Sequence, residues 1–322
     1  MRKIYLGLLF SSFCLLLTCQ AEQSSETKAA ESAVSVPIIG KRVLFLGNSI
    51  TQNGLYVSMV EYWLRKNNPE EEYDLLSVGL GSETVSCLTE PVHPYPRPCL
   101  EERLERILTA VKPDVVLACY GMNDGIYHPQ SPERLAAYQN GIRALENRLK
   151  RDSVPLLVLT PPVFDSLQVE DKSVGLDTDL YGYASPYQGY DLVLKDYADW
   201  LQEAYGPAAI DLHGPMKTFI QQQRANDPSF TLAPDGVHPQ ALGHWIMAAS
   251  ILKGLDQEVP EDYLTTLAEI QVDPLFELVH QKRDQRSNGW LKSIGYIRGD
   301  TVQEGTAAEV EQQLESMERE ID

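Results

Sequence analysis

The sequence predicts an α/β protein of three layers, a five-stranded parallel sheet between helices, followed by a helical extension. Two observations lead there. From Lys41 onward short apolar runs alternate with amphipathic stretches, the pattern of strands joined by crossover helices. The 322 residues are 43% hydrophobic and 23% charged, an ordinary globular mix with enough apolar side chains for one large core and additions to it.

The elements follow in chain order. Arg2 and Lys3 precede an apolar run, residues 4–17, that is too short to span a bilayer comfortably and reads as a signal peptide. Leu16-Leu17-Thr18-Cys19 resembles a bacterial lipobox, with Cys19 as the lipidated first residue, although Thr18 stands where Gly, Ala or Ser is usual. A cut after Ala21 is the competing reading and would release a soluble protein. Both readings imply export. Residues 20–40 read as a flexible tether, residues 41–254 as the main domain and residues 255–322 as the extension.

Strands are expected at residues 43–46, 73–78, 114–119, 155–159 and, more weakly, 208–211. Leu135, Tyr138, Ile142, Leu145 and Leu149 recur at helical spacing, behind a Ser131-Pro132-Glu133 start signal. Another helix is expected from near Pro239. Two long connections, residues 79–99 and 161–188, break the rhythm and are where function tends to sit. In the extension, Val310, Leu314, Met317 and Ile321 form one stripe, suited to docking on the domain itself.

Charge excludes one class of partner. The chain has 27 basic and 46 acidic residues; without residues 1–19, which hold two bases and no acids, the net charge is −21. Such a field repels nucleic acid and anionic membrane surfaces, leaving a lipid at Cys19 as the membrane contact.

Three short segments carry the chemistry. Gly47-Asn48-Ser49-Ile50 follows the first strand and puts a serine at the carboxyl edge of the sheet, where open α/β folds bind ligands. Taken alone, Ser49 reads as a helix cap. Gly121-Met122-Asn123-Asp124 follows the third strand, whose end neighbours that of the first, so Asn123 can present its amide above Ser49; alone, it is an ordinary turn. Asp235-Gly236-Val237-His238 places a carboxylate and an imidazole on one tight loop. Alone, Asp235 reads as a cap and His238 as surface.

Together and in this order, the segments resemble the blocks of the SGNH/GDSL hydrolase family over residues 41–254. The resemblance implies a flavodoxin-like fold and acyl transfer without metal or organic cofactor. Ser49 would attack an ester carbonyl, His238 would move the proton, and Asp235 would orient the imidazole. The N–H groups of Ser49 and Ser82 and the Asn123 amide would meet the oxyanion. The second block departs from the family pattern: Ser77 stands where Asn is usual and Ser82 where Gly is usual, which leaves the backbone conformation at Ser82 open and Gly81 as a rival donor. His93, His128, His213 and His244 show no metal spacing, Gly79 and Gly81 lack a dinucleotide fingerprint, and Cys119 reads as a buried small hydrophobe.

For the substrate, Arg97 in the proline-rich loop is a candidate anion or hydroxyl contact, and Tyr181, Tyr183 and Tyr187 are candidate stacking surfaces for sugars; rigid surface loops explain both equally well. The leaning is towards acetylated carbohydrate. A lipase, lysophospholipase or thioesterase, or a non-catalytic surface lipoprotein, is the alternative, and Leu275, Phe276 and Leu278 would be a source of an acyl groove. Cys87 and Cys99 bracket the prolines in an exported chain, so a disulfide is expected there, with two free thiols the competing outcome.

Overall fold

In a computed structural model of the chain, which describes Met1 and residues 38–295 and 306–321, β1 (Arg42–Gly47), β2 (Asp74–Ser77), β3 (Val115–Cys119), β4 (Leu156–Leu159) and β5 (Ala209–Ile210) form one parallel sheet in the order β2-β1-β3-β4-β5. The signal segment, Cys19 and residues 20–37 of the tether lie outside the described residues. β2, β3, β4 and β5 fall within their expected apolar runs, and β1 extends its run by one residue at each end. β3, the middle strand, is buried at all five positions, as a parallel strand covered on both faces must be.

The strand order positions the site. From β1 the chain moves outward to β2 and then returns to the other side of β1 for β3, so the direction of winding reverses between β1 and β3. A crevice opens at the carboxyl ends of those two strands. Their final pair is Gly47 with Cys119, which makes Asn48 and Tyr120 emerge side by side. A side chain at position 47 is impossible there, since its Cβ would lie 2.1 Å from the Thr51 hydroxyl and 2.7 Å from the Cys119 carbonyl. Gly79 is required for the same reason: its Cβ would sit 2.4 Å from the Gln52 nitrogen, where the connection after β2 passes over the first helical turn.

That turn is α1 (Ser49–Asn53), continued after Gly54 by α2 (Leu55–Asn67). α3 (Glu101–Val111), α4 (Pro132–Arg151) and α5 (Tyr190–Tyr205) connect successive strands, and α6 (His213–Arg224) and α7 (Ala241–Gly254) follow β5. α4 starts at the expected signal, with the Ser131 hydroxyl accepting the Arg134 N–H, and it buries Tyr138, Ile142, Leu145 and Leu149. α7 is apolar nearly all round because it packs on both α2 and β5.

Residues beyond 254 form α8 (Tyr263–Val272), α9 (Pro274–Ile294) and α10 (Thr306–Ile321). Their packing answers a problem of the sheet: β2 is an edge strand with backbone groups that lack a neighbour. The Arg286 guanidinium on α9 donates to the Leu75 carbonyl at 3.0 Å, Arg65 on α2 donates to the Tyr73 carbonyl at 3.0 Å, and the Ser287 hydroxyl lies 3.0 Å from that of Ser77. The serine in place of the usual asparagine therefore faces a helix. α10 is fastened by Leu314 and by carboxylates: Glu311 accepts from Arg286 and the Trp290 indole, and Glu318 from Lys282 and Arg65. Among the described residues no helix is long and apolar enough to cross a membrane.

Candidate active site

The first turn after β1 divides capping and a reactive hydroxyl between two residues. Asn48 is the N-cap of α1, its side-chain oxygen accepting the Ile50 N–H at 3.0 Å. The Ser49 hydroxyl is thereby free of capping and lies 2.8 Å from His238 Nε2. Asn48 is what removes the cap from the serine.

On the opposite loop one carboxylate closes the turn and orients the ring. Asp235 Oδ1 accepts the backbone N–H groups of Val237 and His238, at 2.9 and 2.7 Å, while Oδ2 lies 2.6 Å from His238 Nδ1. Partial burial by itself would raise the Asp235 carboxyl, but the hydrogen bonds from the imidazole and the two N–H groups outweigh it and hold the group well below the usual carboxylate range. Asp235 thus stays ionised and favours the tautomer with the proton on Nδ1, leaving Nε2 to accept from Ser49.

Donors converge from the other wall. Ser82 has φ 64°, the left-handed conformation that the usual glycine would adopt freely and that costs a serine about 1–2 kcal/mol. Its N–H has no partner among the described residues, whereas the Gly81 N–H is taken by Gln52 Oε1 at 2.7 Å, which removes Gly81 as the rival donor. The Asn123 amide is held at both ends: its nitrogen donates to the Glu83 carbonyl at 3.2 Å, and its oxygen accepts from the Tyr127 hydroxyl at 3.1 Å. The second amide proton remains for the cleft.

Behind these donors lie buried charges. Glu83 is forked by Arg103, at 2.5 and 2.7 Å, and takes the Tyr120 hydroxyl at 2.6 Å. Asp124 accepts the N–H groups of Val85, Ser86 and Gly121 at 2.8–2.9 Å, fastening the turn after β3 to the loop after β2. Burial pushes its carboxyl up against the pull of those donors. Sequence patterning missed Glu83, Arg103, Asp124 and Tyr127. Only Asp124 left a trace, as the residue beside Asn123.

The sequence profile of the GDSL-like Lipase/Acylhydrolase family matches residues 45–246, which include Ser49, Ser82, Asn123, Asp235 and His238. The chain belongs to this family. It is a hydrolase acting on ester bonds. Two solved structures of variants of the acetylxylan esterase Axe2 from Geobacillus stearothermophilus share the fold: one aligns at 22% identity over 70% of this chain and 97% of that one with TM-score 0.50. The other aligns at 22% identity over 70% and 98%, with TM-score 0.51. No curated protein matches the chain by sequence. The family profile ends within α7, so α8, α9 and α10 lie beyond it.

In this GDSL hydrolase Ser49 and His238 open into a cleft of about 450 Å³, lined further by Ser82, Asn123, Val92, Tyr95, Tyr127 and Tyr183. Three sequence expectations about the cleft change. Arg97 lines it, but the residue is 5% exposed and its guanidinium is clamped by Glu90 through two 2.7 Å bonds, so it is no open anion site. Of the three tyrosines, Tyr183 alone lines the cleft: Tyr181 is buried with its hydroxyl on the Gly175 carbonyl, and Tyr187 packs against the core. Phe276 packs edge-on against Tyr62, and neither it nor Leu275 or Leu278 borders the cleft. Cys87 and Cys99 are joined in a disulfide, Cα to Cα 4.8 Å, closing the loop that carries Arg97. Cys119 is a buried free thiol, pushed up to about 12 by burial.

Proposed function

We propose that the protein is a serine esterase that removes short acyl groups, acetyl above all, from a carbohydrate, with Ser49 as nucleophile, His238 as general base and acid, and Asp235 as the residue that orients the imidazole. The observation that carries this reading is the continuous relay from Ser49 Oγ to His238 Nε2 at 2.8 Å and from His238 Nδ1 to Asp235 Oδ2 at 2.6 Å. His238 takes the hydroxyl proton as Ser49 attacks the carbonyl carbon. The tetrahedral oxyanion is met by the N–H groups of Ser49 and Ser82 and by the Asn123 amide. The collapsing intermediate expels the alcohol, which receives the proton from His238, and water then repeats the sequence on the acyl enzyme.

The acyl and alcohol preference rests on the cleft. Its polar groups and tyrosine rings offer hydroxyl contacts and a stacking face, and the acetylxylan esterases that share the fold act on a substrate of this class. One observation favours a lipid ester instead: Leu176 and Leu180 are 72% and 63% exposed on the loop that carries Tyr183. For the N-terminus we propose export with lipid attached at Cys19.

Two measurements test the reading. Ser49→Ala should abolish ester hydrolysis and labelling by a fluorophosphonate probe, and undiminished labelling would overturn the nucleophile. Comparison of kcat/KM for acetyl, butyryl, octanoyl and palmitoyl esters of one alcohol, then for acetylated sugars, should peak at acetyl. Each buried methylene is worth about 0.8 kcal/mol, so a maximum at octanoyl or beyond would put the lipid ester first.

A further inference from the structure

Arg97 stands in a position that a substrate contact does not explain. All three of its guanidinium nitrogens donate within the protein: Nε and one terminal nitrogen to Glu90, each at 2.7 Å, and the other terminal nitrogen to the Ser82 carbonyl at 3.3 Å. Glu90 is itself 1% exposed, so an incoming anion would have to displace a carboxylate that has nowhere to go. The guanidinium carbon also lies 5.5 Å from the centre of the Tyr127 ring, within cation–π range.

Both contacts lead to the oxyanion donors. Ser82 holds its left-handed backbone without the freedom of glycine, and a strained residue keeps such a conformation only where its surroundings over-determine it. The bond from Arg97 to the Ser82 carbonyl is one such restraint. Tyr127 holds the Asn123 side-chain oxygen and so decides which way its nitrogen points. Arg97 in turn is held from the loop side, its N–H on the Thr89 hydroxyl at 2.9 Å and its loop closed by the Cys87–Cys99 disulfide.

We propose that Arg97, locked by Glu90, is a positioning residue for the oxyanion site, setting the Ser82 backbone directly and the Asn123 amide through Tyr127. The proposal rests on the Ser49 mechanism above. It makes Arg97 an element of transition-state stabilisation that never touches substrate, with Glu90 as the part that holds it in place.

The test uses the full chain, p-nitrophenyl acetate as substrate and fluorophosphonate titration at its end point to count competent sites, so that each kcat is per folded enzyme. Arg97→Lys keeps the charge and loses the fork. It should lower kcat by about 10- to 100-fold, the scale of a misplaced catalytic contact, with KM within about threefold. Affinity for a trifluoromethyl ketone, whose hemiketal adduct with Ser49 carries the oxyanion, should fall in the same ratio, while affinity for the matching amide, which forms no adduct, should stay. In the double variant with Asn123→Ala, the loss should fall short of the product of the two single losses by about threefold or more, because one residue acts partly through the other. Should Arg97→Lys fail to fold, Glu90→Gln reads the same quantities with the fork weakened. A rise in KM at unchanged kcat, equal losses for ketone and amide, or strictly multiplicative losses would each overturn the proposal. Failure of the underlying mechanism shows separately, as activity surviving in Ser49→Ala.

Discussion

On one side of the cleft, His238 and Asp235 leave 42% and 40% of their side chains in solvent; on the other, Arg103 and Glu83 are 1% and 0% exposed and Asp124 is completely buried. The difference follows from what each side has to do. In the mechanism proposed above, His238 gains and loses a proton in every turnover and so changes charge, and contact with water moderates the cost of that change. Oxyanion donors must instead meet a charge that appears briefly, without reorganising, and buried ion pairs hold their backbone still. The mobile charge is kept wet and the fixed dipoles are kept dry.

The comparison breaks most completely at Asp235. Asp235→Asn keeps a side-chain oxygen for the turn but disturbs the tautomer, and kcat should fall by about 10⁴-fold with little change in melting temperature. Steady-state kinetics beside a thermal melt check both halves of that statement. On the buried side the balance should reverse. Arg103→Met leaves the Glu83 carboxylate unpaired in the core and should cost about 3–5 kcal/mol of stability, read from denaturant unfolding. Adding Glu83→Gln should recover part of it, and a surface-like loss below about 1 kcal/mol would show that the pair is not structurally needed.

Two histidines six positions apart sharpen the contrast. His244 lies buried on α7, its ring stacked on Tyr56 with centroids 6.0 Å apart, and burial together with the positive charge of Arg283 pushes it down to about 3. An unfolded chain takes up a proton near pH 6.5, and the folded one resists until about pH 3, so this group removes stability as pH falls through that window. The contribution is on the order of a few kcal/mol, and His244→Phe should flatten the acid limb of unfolding free energy against pH accordingly. The smallest effect belongs to the cleft rim. The Tyr183 hydroxyl reaches Asp235 only at 3.5 Å, so Tyr183→Phe should change kcat on a simple acetyl ester less than about threefold, whereas Tyr183→Ala should raise KM for an acetylated sugar.

Much of this was legible along the chain. The five strands announced themselves because a parallel strand buried on both faces must be apolar throughout, whereas Ser49, Asn123, Asp235 and His238 stood out only as a set, each in a turn with an ordinary reading of its own but together in the order of the family's blocks. Tyr183, Tyr181 and Tyr187 could not be told apart, since nothing local decides which ring of a long loop turns inward. Arg97 read as a ligand contact because its partner, Glu90, is a neighbour only once the Cys87–Cys99 loop is closed.

The sequence by itself therefore determined the layers and the strand runs, which depend on periodicity, and it supplied the candidate reacting groups, which sit on turns a few residues long. Tertiary structure decided the rest. Whether Ser82 keeps the conformation of a glycine, whether Gly81 or Ser82 offers its N–H, and whether Arg97 faces substrate or braces the backbone all depend on contacts between segments distant along the chain. Buried charges settle such questions because a charge removed from water must find its partner wherever the fold brings one, and sequence spacing carries no record of that meeting.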